Sequence, residues 1–92
     1  MKCTRADRKL EKLGFGKYIT DNEKESKYGV SFGRPDTVIG DIHRIDIIYK
    51  SNGQHLIQSY QENHNNSVGL TYEEMKAIMS KYREMKRKYG WK

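Results

Sequence analysis

The stretch Ile42-His43-Arg44-Ile45-Asp46-Ile47-Ile48-Tyr49-Lys50-Ser51-Asn52-Gly53-Gln54-His55-Leu56-Ile57-Gln58-Ser59-Tyr60-Gln61 decides the fold. Two runs rich in β-branched and aromatic residues flank an Asn-Gly step, which suits the two positive-φ positions of a type I′ turn. The pattern predicts a β-hairpin whose two-residue turn sets the register: Tyr49 faces Leu56, Ile47 faces Gln58 and Ile45 faces Tyr60. Side chains alternate across a strand, so these six share one face, expected to be the core face. The other face then presents Arg44, Asp46, Lys50, Ser59 and Gln61 with one apolar pair, Ile48 and Ile57, a candidate self-association patch.

Upstream, Tyr28, Val30 and Phe32 alternate with small residues, and residues 28–33 read as a half-buried strand. Residues 17–22 read as another strand. Residues 23–26 form a polar turn, and Gly33-Arg34-Pro35-Asp36 reads as a loop holding the single proline. A short helix is expected over 4–13, with Thr4 as N-cap, Asp7 in its first turn and Gly14 as its stop. Downstream, Thr71-Tyr72-Glu73-Glu74 is a capping box opening a long helix that Gly90 ends, with Trp91 folding back on its last turn. Along that helix Tyr72, Met75, Ile78, Met79, Tyr82, Met85 and Tyr89 form one apolar stripe, expected to be its buried seam. The fold class is therefore α+β: a small antiparallel sheet of four strands, a short N-terminal helix, and a long C-terminal helix packed on one face.

The 92 residues have the size of one domain, 1–92, but only 35% are hydrophobic, 33% are charged and mean hydropathy is -1.01. No apolar run reaches the roughly 18 residues that span a bilayer, so no membrane segment is expected. Residues 1–10 lack the apolar core of a secretory signal. A single cysteine, Cys3, excludes an internal disulfide framework and a multi-cysteine zinc site, and makes the expected compartment cytoplasmic. Cys3 stands two residues from the start with no general base placed near it in sequence, so it reads as a bystander thiol.

Net charge is +6 and unevenly spread. Residues 1–12 carry +3 and residues 81–92 carry +5, while the middle carries -2. Basic ends on a near-neutral centre point to an anionic partner, although cations in a last helical turn also complement the helix dipole. By helical geometry Lys76, Arg83 and Arg87 share one flank of the apolar stripe, and Lys81 and Lys88 lie on the other. These five are the candidate partner-binding residues.

Catalytic signatures are sparse. Extending the hairpin register brings Asp41, His43, Glu62 and His64 to one face, where two imidazoles and two carboxylates suit a divalent metal or acid–base chemistry. The turn-rich 63–67 segment argues for fraying there instead. His64-Asn65-Asn66 matches a nuclease motif by letters only, and no phosphate-cradling glycine loop follows a strand. Met75, Met79 and Met85 read as core filling. In the expected register Tyr49 and Tyr60 point to the covered face, leaving no aromatic platform for RNA bases. No cofactor or metal is expected.

Two segments carry a resemblance: Arg8-Lys9-Leu10-Glu11-Lys12-Leu13-Gly14-Phe15, and Leu70-Thr71-Tyr72-Glu73-Glu74-Met75-Lys76-Ala77-Ile78 with Tyr89-Gly90-Trp91 at the helix end. In layout the chain resembles short uncharacterised proteins of prophages and mobile elements of Gram-positive bacteria. The resemblance implies a small accessory protein and carries over no catalytic residue. The expected function is a phage-type, non-enzymatic protein that binds a macromolecule, such as a host or defence protein, through its basic helix. Sequence-nonspecific nucleic-acid binding is the alternative, and a metal-dependent enzyme the distant one. A monomer is expected, with a homodimer as the alternative.

Overall fold

A computed structural model describes residues 4–18, 24–36 and 40–92. Cys3, and residues 19–22 of the strand expected over 17–22, lie outside the described residues. The elements run α1 (Arg5–Lys12), β1 (Gly16–Lys17), β2 (Gly29–Pro35), β3 (Ile42–Tyr49), β4 (His55–Gln61) and α2 (Tyr72–Tyr89). The strands form an antiparallel meander in the order β1-β2-β3-β4. Strand β2 runs two residues past its expected end, taking Arg34 and Pro35 out of the loop and pairing them with His43 and Ile42. No helix among the described residues is long and apolar enough to cross a membrane.

Both helices start where their capping residues place them. Thr4 Oγ1 accepts from the Asp7 N–H at 3.1 Å, and Asp7 accepts from the Thr4 N–H. Thr71 and Glu74 repeat the arrangement at α2. Each box satisfies two backbone donors that the helix start would leave orphaned. Helix α2 ends at left-handed Gly90, and Trp91 returns to the core, where its indole N–H donates to the Lys27 carbonyl at 2.7 Å.

The hairpin closes one residue away from its expected register. Gly53 N–H donates to Lys50 O and Lys50 N–H to Gln54 O, both at 2.9 Å, which makes a three-residue loop. Only Gly53 there takes positive φ, at 89°, as in a type I turn followed by a glycine bulge. Tyr49 therefore pairs with His55, Ile48 with Leu56, Ile47 with Ile57, Ile45 with Ser59 and Arg44 with Tyr60. Strand β3 keeps its expected core residues, Ile45 and Ile47, but β4 is turned over. Leu56, Gln58 and Tyr60 lie on the open face, while His55, Ile57, Ser59 and Gln61 lie on the helix side. The shift matches polar partners: Tyr60 donates to Asp46 at 2.7 Å, and His43 donates to Ser59 at 2.7 Å. It also separates Ile48 from Ile57, so the expected self-association patch does not form. The apolar pair on the open face is Ile48 with Leu56.

Helix α2 is rotated by roughly a quarter turn from the orientation its apolar stripe predicts. It buries Glu74, Ala77, Ile78, Lys81 and Met85, and leaves Tyr72 and Met75 exposed. The reason is that α2 packs on two partners. Ile78 and Met85 join the core against the sheet with Phe32, Ile45 and Ile47, while Ala77 and Lys81 face α1. The sum of two contact directions lies between them, off the hydrophobic stripe.

Candidate functional site

The two basic ends of the chain meet in space. Asp7 of α1 lies on Lys81 of α2, Lys9 donates to Ser80 at 3.2 Å, and Leu13 shares a groove with Ala77. The contacts advance in opposite senses, so the helices run antiparallel. On α1, Arg5, Arg8, Lys9 and Lys12 fall on the face opposite buried Ala6 and Leu10, and all four are exposed. On α2, Lys76, Arg83, Lys86 and Arg87 point away from the sheet and are exposed. One continuous basic surface results. Of the sequence-chosen residues it holds Lys76, Arg83 and Arg87. The α1 residues belong to it as well, and their signal was the excess of +3 at residues 1–12.

Lys81 and Lys88 do not belong to that surface. Lys81 is fully buried, with its ammonium 2.8 Å from Asp7 Oδ1, 2.6 Å from Glu25 Oε1 and bonded to Glu84. Asp7 Oδ1 receives the charge without a well-directed hydrogen bond. Lys17 bridges Asp7 at 2.8 Å and Glu25 at 3.2 Å, and Lys88 and the Tyr89 hydroxyl close on Glu25 Oε2 at 2.6 and 2.7 Å. Three ammoniums thus neutralise three carboxylates. Burial opposes every charge in the cage, but the pairing prevails: Asp7 and Glu25 are held below the usual carboxylate range, and Lys81 above the usual lysine range. Asp7, Glu25 and Glu84 could together ligate a metal ion, but the Lys81 ammonium occupies their centre.

The cage and two neighbouring networks withdraw acids from the surface. Glu74 is buried on Arg34 at 2.7 Å, and Asp41 and Asp46 are buried as well. Among the described residues thirteen Lys and Arg are exposed, against three carboxylates, Glu11, Glu62 and Glu73. The described part of the surface is therefore strongly positive.

The quartet Asp41, His43, Glu62 and His64 is not one site. Asp41 accepts from His64, and from the backbone N–H of Ile42 and Asn63 at 2.8 and 2.9 Å. Burial works to raise its pKa, but these donors hold it below the ordinary range. Glu62 turns to Arg44 at 3.0 Å on the open side. His43 sits under Phe15 with Nδ1 3.2 Å from Arg34 and Nε2 2.7 Å from Ser59 Oγ. A guanidinium only donates, so Nδ1 accepts and Nε2 carries the proton toward Ser59. That tautomer cannot take the Ser59 proton, so the pair is not an activated nucleophile. Burial and the Arg34 charge hold the His43 pKa below its ordinary value, which keeps the ring neutral.

On the open face, Asp46 gathers Ser31 at 2.6 Å, Arg44 at 3.1 Å and Tyr60 at 2.7 Å. Contrary to expectation this face does carry aromatics, Tyr60 and Tyr18, with Arg44 lying 4.7 Å over the Tyr18 ring. Burial and the Asp46 bond push Tyr60 up to about 12. The rings are tied into a polar network rather than presented as a bare stacking platform.

No protein-family model matches the chain, nor does any curated protein or any solved structure.

Proposed function

We propose that the protein is a non-enzymatic binding protein that docks an anionic macromolecule on the joint face of α1 and α2. The observation that carries this reading is the convergence of the two basic ends on one surface, with Asp7, Glu25 and Glu74 drawn inward and Glu11 and Glu73 left exposed beside it. Dipole complementarity accounts for Lys86 and Arg87 in the last turn of α2 and for Lys9 and Lys12 in the last turn of α1, and Glu73 pairs with Lys76 at 3.8 Å, but neither effect accounts for Arg83 or for Arg5 and Arg8 on α1. The resemblance to prophage and mobile-element proteins sets this activity in an accessory protein acting on a host or defence component. Nonspecific nucleic-acid binding is the second reading. Neither helix contains an Asn or Gln to read base edges, so such binding would track phosphates alone.

The test separates location from net charge. Lys76→Glu with Arg83→Glu is compared with Lys24→Glu plus Lys50→Glu, an equal change of charge elsewhere. Exposed substitutions cost within about 0.5 kcal/mol, so both variants should fold. On an immobilised polyanion, the helix-face variant is expected to elute at clearly lower salt than the control variant. Equal elution would mean that net charge alone binds, and the reading fails. If duplex DNA binds, log affinity should fall with log salt by about 0.9 per phosphate neutralised, and the helix-face variant should flatten that slope.

A further inference from the structure

The rotation of α2 leaves an apolar strip along one side of the basic surface. Tyr72 is 73% exposed and Met75 51% exposed, and with Met79 they line a shallow groove whose other walls are Lys9, Lys76, Ser80 and Arg83. A second groove, against α1, shares Lys9 and Lys76 and adds Lys12 and one carboxylate, Glu73, around Leu13 and Ala77. Positions 72, 75 and 79 stand at i, i+3 and i+7, the spacing on which one helix seats another. Lys76 and Arg83 are two turns apart, about 10 Å along the axis, on one flank of that seam.

Resting on the reading of this face as an anionic docking surface, we propose that its partner is an acidic amphipathic helical segment of another protein. Apolar side chains of that segment would sit on Tyr72, Met75 and Met79, and its Asp and Glu would reach Lys9, Lys76 and Arg83. Phosphate tracking makes no use of an apolar strip, whereas an acidic amphipathic helix uses both the strip and its rim. Methionines suit the role, since their unbranched side chains repack around a partner. A second copy of this chain fits poorly: it would bring Lys76 and Arg83 against like charges in a molecule of net charge +6.

Fluorescence anisotropy with three labelled probes tests the proposal: a Leu/Glu amphipathic helical peptide, the same peptide with Leu replaced by Gln, and a short DNA duplex. The Leu/Glu peptide is expected to bind, and the Gln peptide to bind roughly tenfold or more weakly. Tyr72→Ser with Met75→Ser keeps every charge and should weaken the Leu/Glu peptide by a similar factor. The peptide series needs no altered protein, so it stands even where the double variant folds poorly. Equal binding of the two peptides overturns the proposal. So does DNA binding tighter than the Leu/Glu peptide and indifferent to the Ser pair. Either result leaves the basic-surface reading in place, whereas no binding by any probe removes both. Sedimentation showing a dimer that the Ser pair dissolves would make a second copy the occupant and also overturn the proposal.

Discussion

Lys81 shows how far one residue can depart from its usual place. A lysine in the middle of a charged helix ordinarily faces water. Here three carboxylates from α1, the 24–28 turn and α2 itself compensate its burial. Removing one partner of such a cluster strands the others, at a cost of about 3–5 kcal/mol. Lys81→Met is therefore expected to lower unfolding stability in urea by about that much, and adding Glu84→Leu should return part of the loss. A neutral Lys81→Met would mean that the cage does not hold α1 on α2. Gly29 is the second residue with no substitute. Its φ is 146°, and an added Cβ would lie 2.2 Å from the Ile47 carbonyl oxygen in the neighbouring strand. Gly29→Ala should cost more than about 2 kcal/mol, read from the shift in urea midpoint.

At the scale of elements, the hairpin turn decides which side of β4 meets the helix. Gly53 holds positive φ with nothing within 4 Å of a built Cβ, so a substitution there meets only backbone strain. Gly53→Val should cost about 1–2 kcal/mol, and Gly53→Asn less, since Asn tolerates the left-handed region. Equal thermal stability of wild type and Gly53→Val would contradict the bulged loop. The end of α2 is anchored as a unit: Trp91 stacks on Tyr49 with centroids 5.3 Å apart, and His55 bonds Tyr82 and, at 2.7 Å, the Lys92 carbonyl. This aromatic cluster fixes the rotation of α2 from its C-terminal end, as the Arg34–Glu74 pair does from its N-terminal end.

For the molecule as a whole, stability should follow a plateau in pH with two limbs. His43 titrates below its ordinary 6.5, so the unfolded chain takes up a proton first as pH falls, and stability begins to drop there. Asp7, Glu25, Asp41 and Glu74 titrate below their ordinary 3.8 and 4.5, so their contribution is complete above those values and is lost as pH falls through the lowered ones. On the alkaline side Lys81 and Lys88 lie above 10.5 and Tyr60 at about 12, so their contribution is complete below the unfolded values and lost as pH rises. Denaturation midpoints measured across pH should show a shallow limb starting near 6.5 and a steep one below 4.5, and His43→Gln should remove the shallow limb alone. A profile flat down to pH 4 in the wild type would mean that His43 charges in place.

Element type and order were legible in the sequence because they depend on local chemistry. The N-cap at Thr4, the capping box at Thr71, the glycine stop at Gly90 and the alternation of Val30, Phe32, Ile45 and Ile47 act within a turn or two of chain. The excess charge at the two ends was equally legible, and with it Lys76, Arg83 and Arg87 as outward residues. Side-chain placement was not, wherever distant groups compete for it. One residue more in the hairpin loop turned β4 over, because Tyr60 finds Asp46 and Ser59 finds His43 only in that register. Glu25 lies 56 positions from Lys81 along the chain, and no local pattern could have brought the two together. Their meeting buried a lysine, turned α2 and exposed Tyr72 and Met75. The amphipathic pattern of a helix states what it could bury. Which side it does bury was decided by the number of surfaces against it, and α2 has two.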